Sequence, residues 1–228
     1  MIAFLPAWAG PVAHYMLHVG LPETLKIAAI AVVGSAVVGV LLGTILTIRF
    51  WPTRALIRLY IEVWRGLPII VTIFIIYFAL PGVGLRFSAF QAAAIGLSLW
   101  GSAQIAEATR GAVQSIPREQ HEAAAALGFR WVGRHRYIVL PQAYRRLVPP
   151  MVSLLVNVVQ NTTIAATIGV AEVLETGNRS VERLTLTTGN AHAFAIYGSI
   201  MVVFFVISFP LTRLAAYLER RLVQGRLV

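Results

Sequence analysis

Five stretches without a single Asp, Glu, Lys or Arg divide this chain of 228 residues: Ile27–Ile48, Leu67–Leu85, Phe87–Ala106, Leu147–Ala171 and Leu184–Thr212. A helix rising ~1.5 Å per residue needs about 20 apolar residues to cross ~30 Å of hydrocarbon. The blocks are of that size, and their apolar residues run continuously rather than at amphipathic spacing, which argues against a soluble core. Composition agrees, since 58% apolar and 12% charged residues leave too little polar surface for a water-soluble domain. The sequence predicts an all-α, polytopic membrane protein forming one transmembrane domain. Its five transmembrane helices are expected at about 22–48, 55–80, 87–112, 145–171 and 190–217, with Pro81, Gly82 and Gly84 turning the second into the third.

A formal charge of +10 would suggest nucleic acid in a soluble protein, but here the arginines sit beside apolar blocks rather than among stacking aromatics. They read instead as a topological signal. With the N-terminus outside, Arg49, Arg54, Arg58, Arg65, the arginines between 110 and 146, and those between 213 and 226 all fall inside. Only Lys26, Arg86, Arg179 and Arg183 of the 19 basic residues remain outside. The positive-inside bias therefore predicts an exterior N-terminus and a cytoplasmic C-terminus in a multi-pass membrane protein. The first 19 residues carry no Lys or Arg, unlike the basic start of a cleaved signal peptide.

Ser35, Gly39 and Gly43 recur every fourth residue and predict a seam where another helix approaches closely. His14 and His18 lie four apart with no third ligand near them, so they read as part of an interfacial helix rather than a metal site. With no Cys there is no thiolate or disulfide chemistry.

The stretch between Ala106 and Leu147 is longer than a membrane turn requires. Within the loop at about 114–141, Pro117–Leu127 carries a helix-start proline, early acidic residues and an alanine run, and Gly128 stops it. Beyond it Phe129, Trp131, Tyr137, Ile138, Val139 and Leu140 alternate with Arg130, Arg134, His135 and Arg136 until Pro141 ends the run. Composition alone would make this a basic helix at anionic headgroups. Its spacing says more. Glu122-Ala123-Ala124, three residues, Gly128, nine residues, Ile138, one residue and Leu140-Pro141 resembles the EAA signature of bacterial ABC importer permeases.

The resemblance continues in Tyr60–Pro68 and Ile75–Pro81, in Ala106-Glu107 with Arg110-Gly111, and in Gln114–Pro117, which look like the polar amino acid uptake subfamily. It covers about Leu21 to Arg221 and implies a permease of the bacterial cytoplasmic (inner) membrane that forms the translocation path by alternating access. The loop then supplies cytoplasmic coupling helices that dock on an ATPase dimer, with Glu122, Ala123, Ala124, Gly128, Ile138, Leu140 and Pro141 as the docking residues. The family also implies a second permease subunit, identical or homologous, and an extracytoplasmic solute-binding protein. Its only lysine, Lys26, is surrounded by no phosphate-binding loop. This chain is therefore expected to hold no catalytic residue, metal or cofactor, ATP and Mg being used by the partner ATPase.

Polar residues at membrane depth are costly unless they face a cavity or another helix. The candidate path residues are Gln104 and Glu107 on the third span, and Asn157, Gln160, Asn161, Thr162 and Thr163 on the fourth, where Asn157, Gln160 and Asn161 share an α-helical face. Many members of the subfamily carry a Lys-Asp-Thr-Ser-Leu run where this chain has Gln160–Ile164. Asn161 in place of Asp removes a partner for a cationic substrate, which points toward an acidic or neutral polar amino acid. Glu62 and Arg65 are spaced to pair across one turn. The rival readings are a passive channel, which needs no docking loop, and an intramembrane enzyme built on Glu107, His121 or His192. No Ser-His-Asp set is available to the enzyme, because the chain has no Asp.

Overall fold

The computed structural model describes residues 6–47 and 50–222, so Arg49 and Arg226 of the charge count, and Ile48 at the edge of the first span, lie outside the described residues. Every regular element among the described residues is helical. They are α1 (Ala9–Ile45), α2 (Trp51–Gly66), α3 (Ile69–Val83), α4 (Ala89–Gln114), α5 (Arg118–Ala126), α6 (Trp131–Ile168), α7 (Val173–Thr188) and α8 (Ala193–Leu222). In lipid every backbone N–H must be satisfied within its own segment, and a helix does that.

Length and apolarity qualify α1, α6 and α8 to cross a membrane, or four elements if α2 and α3 count as one broken span. At ~1.5 Å per residue α4 is also long enough. Its apolar residues are diluted by Gln91, Ser98, Ser102, Gln104 and Glu107, which keeps it out of that group.

One expectation needs correction. The second span is not continuous from 55 to 80: Leu67 and Pro68 are extended, with ψ of 138° and 134°. A residue preceding proline is pushed out of the α region by the ring, so the helix ends at Gly66 and restarts at Ile69. From Trp131 the alternating run that closes at Pro141 is helical, and the helix continues past the proline. A π turn at His135–Val139 precedes it, and the chain continues helically through Pro141, Pro149 and Pro150. Leu184–Thr188, where the fifth apolar block begins, lie outside the last helix. They close α7, which stops at Gly189 with φ +70°, and α8 starts at Ala193. The turn after the second span falls where expected, with Gly84 at φ +88°.

The chain divides into two compact units. The first comprises residues up to 32, 68–98 and 158–209. Its core gathers Met16, Val173, Leu184, Ile196 and Ile200. Gly20 makes that packing possible, because a Cβ there would sit 2.9 Å from the Val173 Cα. The second comprises 33–67, 99–157 and 210 onward. Here the expected seam is present and its partner is α4: a Cβ on Gly39 would lie 2.7 Å from the Ser102 carbonyl, and one on Gly43 2.5 Å from that of Ala106. The small side chains let two backbones approach to a distance any larger residue would forbid. Tyr60 and Ser102 share a hydroxyl hydrogen bond of 2.6 Å beside this seam. One further cluster, of Val113, Ile116, Val139 and Ala143, holds the end of α4 to the start of α6.

Candidate docking segment and translocation path

Helix α5 begins after Pro117 and carries Glu119 in its first turn. It closes on Gly128, whose φ of +80° only glycine adopts without strain. Gly128 N–H donates to the Ala125 carbonyl at 2.9 Å and Phe129 N–H to that of Ala124 at 3.0 Å. That pair of bonds is a Schellman cap, and it satisfies two carbonyls the helix end would orphan. The chain then restarts at Trp131, with no side-chain cap from Arg130.

The expected docking residues separate into two groups. Glu122, Ala123, Gly128 and Pro141 are exposed. Ala124 is buried in the underside of α5, Leu140 packs on the Val139 cluster, and Ile138 is half-buried in the π turn. These last three side chains are wholly or partly turned inward. The most exposed large apolar side chains of the segment are Leu127 (76%), Val132 (69%) and Tyr137 (65%). Sequence reasoning missed Leu127 and Val132 as surface residues. The available signal was that both are large and apolar among charged neighbours, Glu119 and Glu122 before them and Arg130 and Arg134 around them. Basic side chains of Arg118, Arg130 and Arg136 are exposed in the same segment.

Among the path candidates, Gln104 accepts a hydrogen bond from Arg65 Nε at 3.2 Å. Arg65 therefore serves Gln104 rather than Glu62, and the pairing expected across one turn of α2 is absent from the ion pairs among the described residues. Glu107 accepts from Arg110 Nε at 2.8 Å. Glu107 and Arg110 line a cavity of about 210 Å³ with Arg58 and Glu62.

On α6, Asn157 and Gln160 are exposed, while Asn161 and Thr163 are half-buried. The shared face read from sequence stops at Gln160, because Asn161–Ile168 winds as a 3₁₀ helix with about 3.0 residues per turn. Thr162 is fully buried and donates its hydroxyl to the Val159 carbonyl at 2.8 Å. Thr163 returns its own to that of Gln160 at 3.0 Å, so both hydroxyls are spent on the backbone.

The residues of the enzyme reading are occupied locally. Glu107 is held by Arg110, His192 stacks on Trp8 with ring centroids 4.5 Å apart, and His121 faces His135 at 6.0 Å. Burial, with the Arg134 guanidinium and His135 beside it, holds the His121 ring below the usual imidazole value. No group of three metal-ligating side chains occurs among the described residues.

Residues 35–224 match the family described as binding-protein-dependent transport system inner membrane component. The glutamine transport system permease protein GlnP of Escherichia coli (strain K12) is 35% identical over 209 residues, covering 91% of this chain and 93% of that one. The glutamate/aspartate import permease protein GltJ of the same strain is 30% identical over 215 residues, 89% of this chain and 85% of that one. Among solved structures, an amino acid ABC transporter with histidines shares 27% identity at a TM-score of 0.83, covering 96% of this chain and all of that one. An inward-facing MetNI methionine ABC transporter, at 20% identity and a TM-score of 0.69, covers 91% of this chain and 98% of that one and shares the fold. With most of its length matched, and helices broken and joined as described above, the chain belongs to the family of binding-protein-dependent transport system inner membrane components.

Proposed function

We propose that this permease subunit imports an acidic or neutral polar amino acid, driven by a separate ATPase that docks on residues 118–141. The observation that carries the docking is the exposure of Leu127, Val132 and Tyr137 in the same segment as the exposed Glu122. Apolar side chains left outside a finished core suit a partner's groove, and Glu122 sets register with a charged contact. Ala124, Leu140 and Gly128 hold the surface in shape. ATP and Mg belong to the partner ATPase dimer, and a second permease subunit and an extracytoplasmic binding protein complete the importer.

Five crossings are assigned to α1, the broken pair α2–α3, α4, α6 and α8, with the N-terminus outside, the C-terminus cytoplasmic and lipid around them. The charge count supports this arrangement. Gln104, Glu107 and Asn157 in one unit, and Gln160, Asn161 and Thr163 in the other, are the path candidates. The names of the relatives, glutamine and glutamate/aspartate permeases, and the amide at Asn161 support the substrate class.

Labelled glutamate, glutamine and arginine supplied to the assembled system in vesicles test this reading. Uptake of glutamate or glutamine that needs ATP is expected, and arginine-only uptake overturns the substrate class. For the docking, Glu122→Ala is expected to weaken copurification of the ATPase and uptake-coupled hydrolysis. Full retention of both sinks the assignment.

A further inference from the structure

Behind the docking segment lies a second cavity of about 280 Å³, lined by Arg54 of α2, Arg110 of α4, His121 of α5 and Trp131, Arg134 and His135 of α6. It falls below the ~300–1,000 Å³ of pockets that hold drug-sized ligands. Its described lining contains three arginines, two histidines and no carboxylate. Only Arg110 has a counter-charge, in Glu107. Arg54 and Arg134 meet no carboxylate among the described residues.

Arg134 is the informative member. One terminal nitrogen donates to the His121 carbonyl at 3.4 Å, but its Nε is buried without any hydrogen-bond partner. A buried guanidinium N–H left unsatisfied is rare and costly, and beside Arg54 and Arg110 the cost is increased by like charge. An anion in the cavity would offset that like charge, reached by the terminal nitrogens rather than by the enclosed Nε. The geometry points to a site for one phosphate group, held by the guanidinium forks of Arg54 and Arg134, which match phosphate oxygens two at a time. His121 is held below the usual imidazole value first by burial and then by the positive charge of Arg134 and His135. The phosphate belongs either to a soluble phosphate compound or to the headgroup of an anionic lipid.

Bound there, the anion ties the docking segment, through His121 and Arg134, to α2 and α4. That consequence rests on reading residues 118–141 as the docking surface, whereas the binding itself does not.

The test uses the full-length chain purified with its partner subunits. Its thermal melt is followed with inorganic phosphate against chloride at fixed ionic strength, and in phosphatidylcholine vesicles with and without phosphatidylglycerol. A saturable rise in Tm with inorganic phosphate assigns the soluble source, and a rise with phosphatidylglycerol alone assigns the lipid headgroup. Arg134→Gln and Arg54→Gln are each expected to weaken the response at least about ten-fold. Arg145→Gln, exposed and outside the cavity, is expected to leave it intact. No response to either source overturns the proposal, as does an equal loss with Arg145→Gln. ATPase copurification is scored on the same samples: its retention without an anion response sinks this site and leaves the docking reading standing.

Discussion

Two turns in this molecule are built alike and lead to opposite surroundings, one exposed and one buried. Gly128 and Gly169 both have φ of +80°. At the second, Gly169 N–H donates to the Ala166 carbonyl at 2.9 Å and Val170 N–H to that of Ala165 at 3.2 Å, the same pair of bonds that closes α5. After Gly128 the chain leaves Leu127, Val132 and Tyr137 exposed, and its restart has no side-chain cap. After Gly169 it buries Val170, Glu172 and Val173, and Glu172 caps α7. Turn chemistry ends a helix, but the side chains around it decide whether the end faces a core or a partner.

The largest test of that contrast places one charge at each turn. Val173→Asp puts a carboxylate into the Met16–Ile196 cluster, where an unpaired buried charge costs several kcal/mol, and folded protein is expected to be lost. Leu127→Asp is expected to leave helicity by circular dichroism and Tm unchanged. It should weaken ATPase association by ~2 kcal/mol or more, about thirty-fold, as a hot-spot side chain would. If Leu127→Asp instead unfolds the chain, the Gly128 turn belongs to a core and the contrast is gone.

Next in size is the glycine pair. A Cβ at Gly128 or Gly169 meets nothing within 4 Å, so Ala at either position is penalised by backbone conformation alone. The left-handed region costs a non-glycine residue about 1–2 kcal/mol, and Gly128→Ala and Gly169→Ala are expected to lower stability in thermal melts by similar amounts. Only Gly128→Ala should also reduce ATPase copurification. Equal losses of copurification for both would erase the functional difference between the turns.

The two turns also differ in how far sequence announced them. Pro117, the alanine run and Gly128 are local signals, so α5 was legible to within a residue at each end. Gly169 was hidden because the apolar run extends through it to Ala171, and hydropathy does not register a change from α to 3₁₀ winding. That change removed Asn161 from the α-helical face read for Asn157 and Gln160. It accompanies threonines that return their hydroxyls to backbone carbonyls three residues earlier, an interaction invisible to periodicity. Helix α7 was missed for the same reason in reverse, its last turn being apolar enough to join the fifth block. The break before Pro68 was available from the X-Pro rule and was outweighed by the length of the apolar block. Between Arg118 and Pro141 the spacing singled out residues, yet which of them are exposed depends on how the segment packs around the Val139 cluster, a tertiary fact.

The smallest expected effect is at Glu172, the one side-chain cap that distinguishes the two restarts. Its carboxylate accepts from the backbone N–H groups of Leu174 and Glu175 at 2.9 and 2.8 Å, while Thr24 donates its hydroxyl at 3.4 Å. Burial nevertheless pushes the carboxyl from 4.5 up to about 7, because removing the charge from water outweighs those three donors. The folded chain thus holds this proton more tightly than the unfolded chain. The resulting stability is complete below about pH 4.5, declines as pH rises and is lost above about pH 7. Glu172→Gln stays neutral throughout and is expected to flatten that part of the pH dependence of Tm, although its amide can accept at only one of the two oxygen positions. Glu172→Ala removes the cap altogether and is expected to cost about 1 kcal/mol. A pH profile unchanged by Glu172→Gln would show that the carboxyl titrates in its ordinary range. The restart at Gly169 would then differ from that at Gly128 by its cap and its apolar packing, with no contribution from a buried proton.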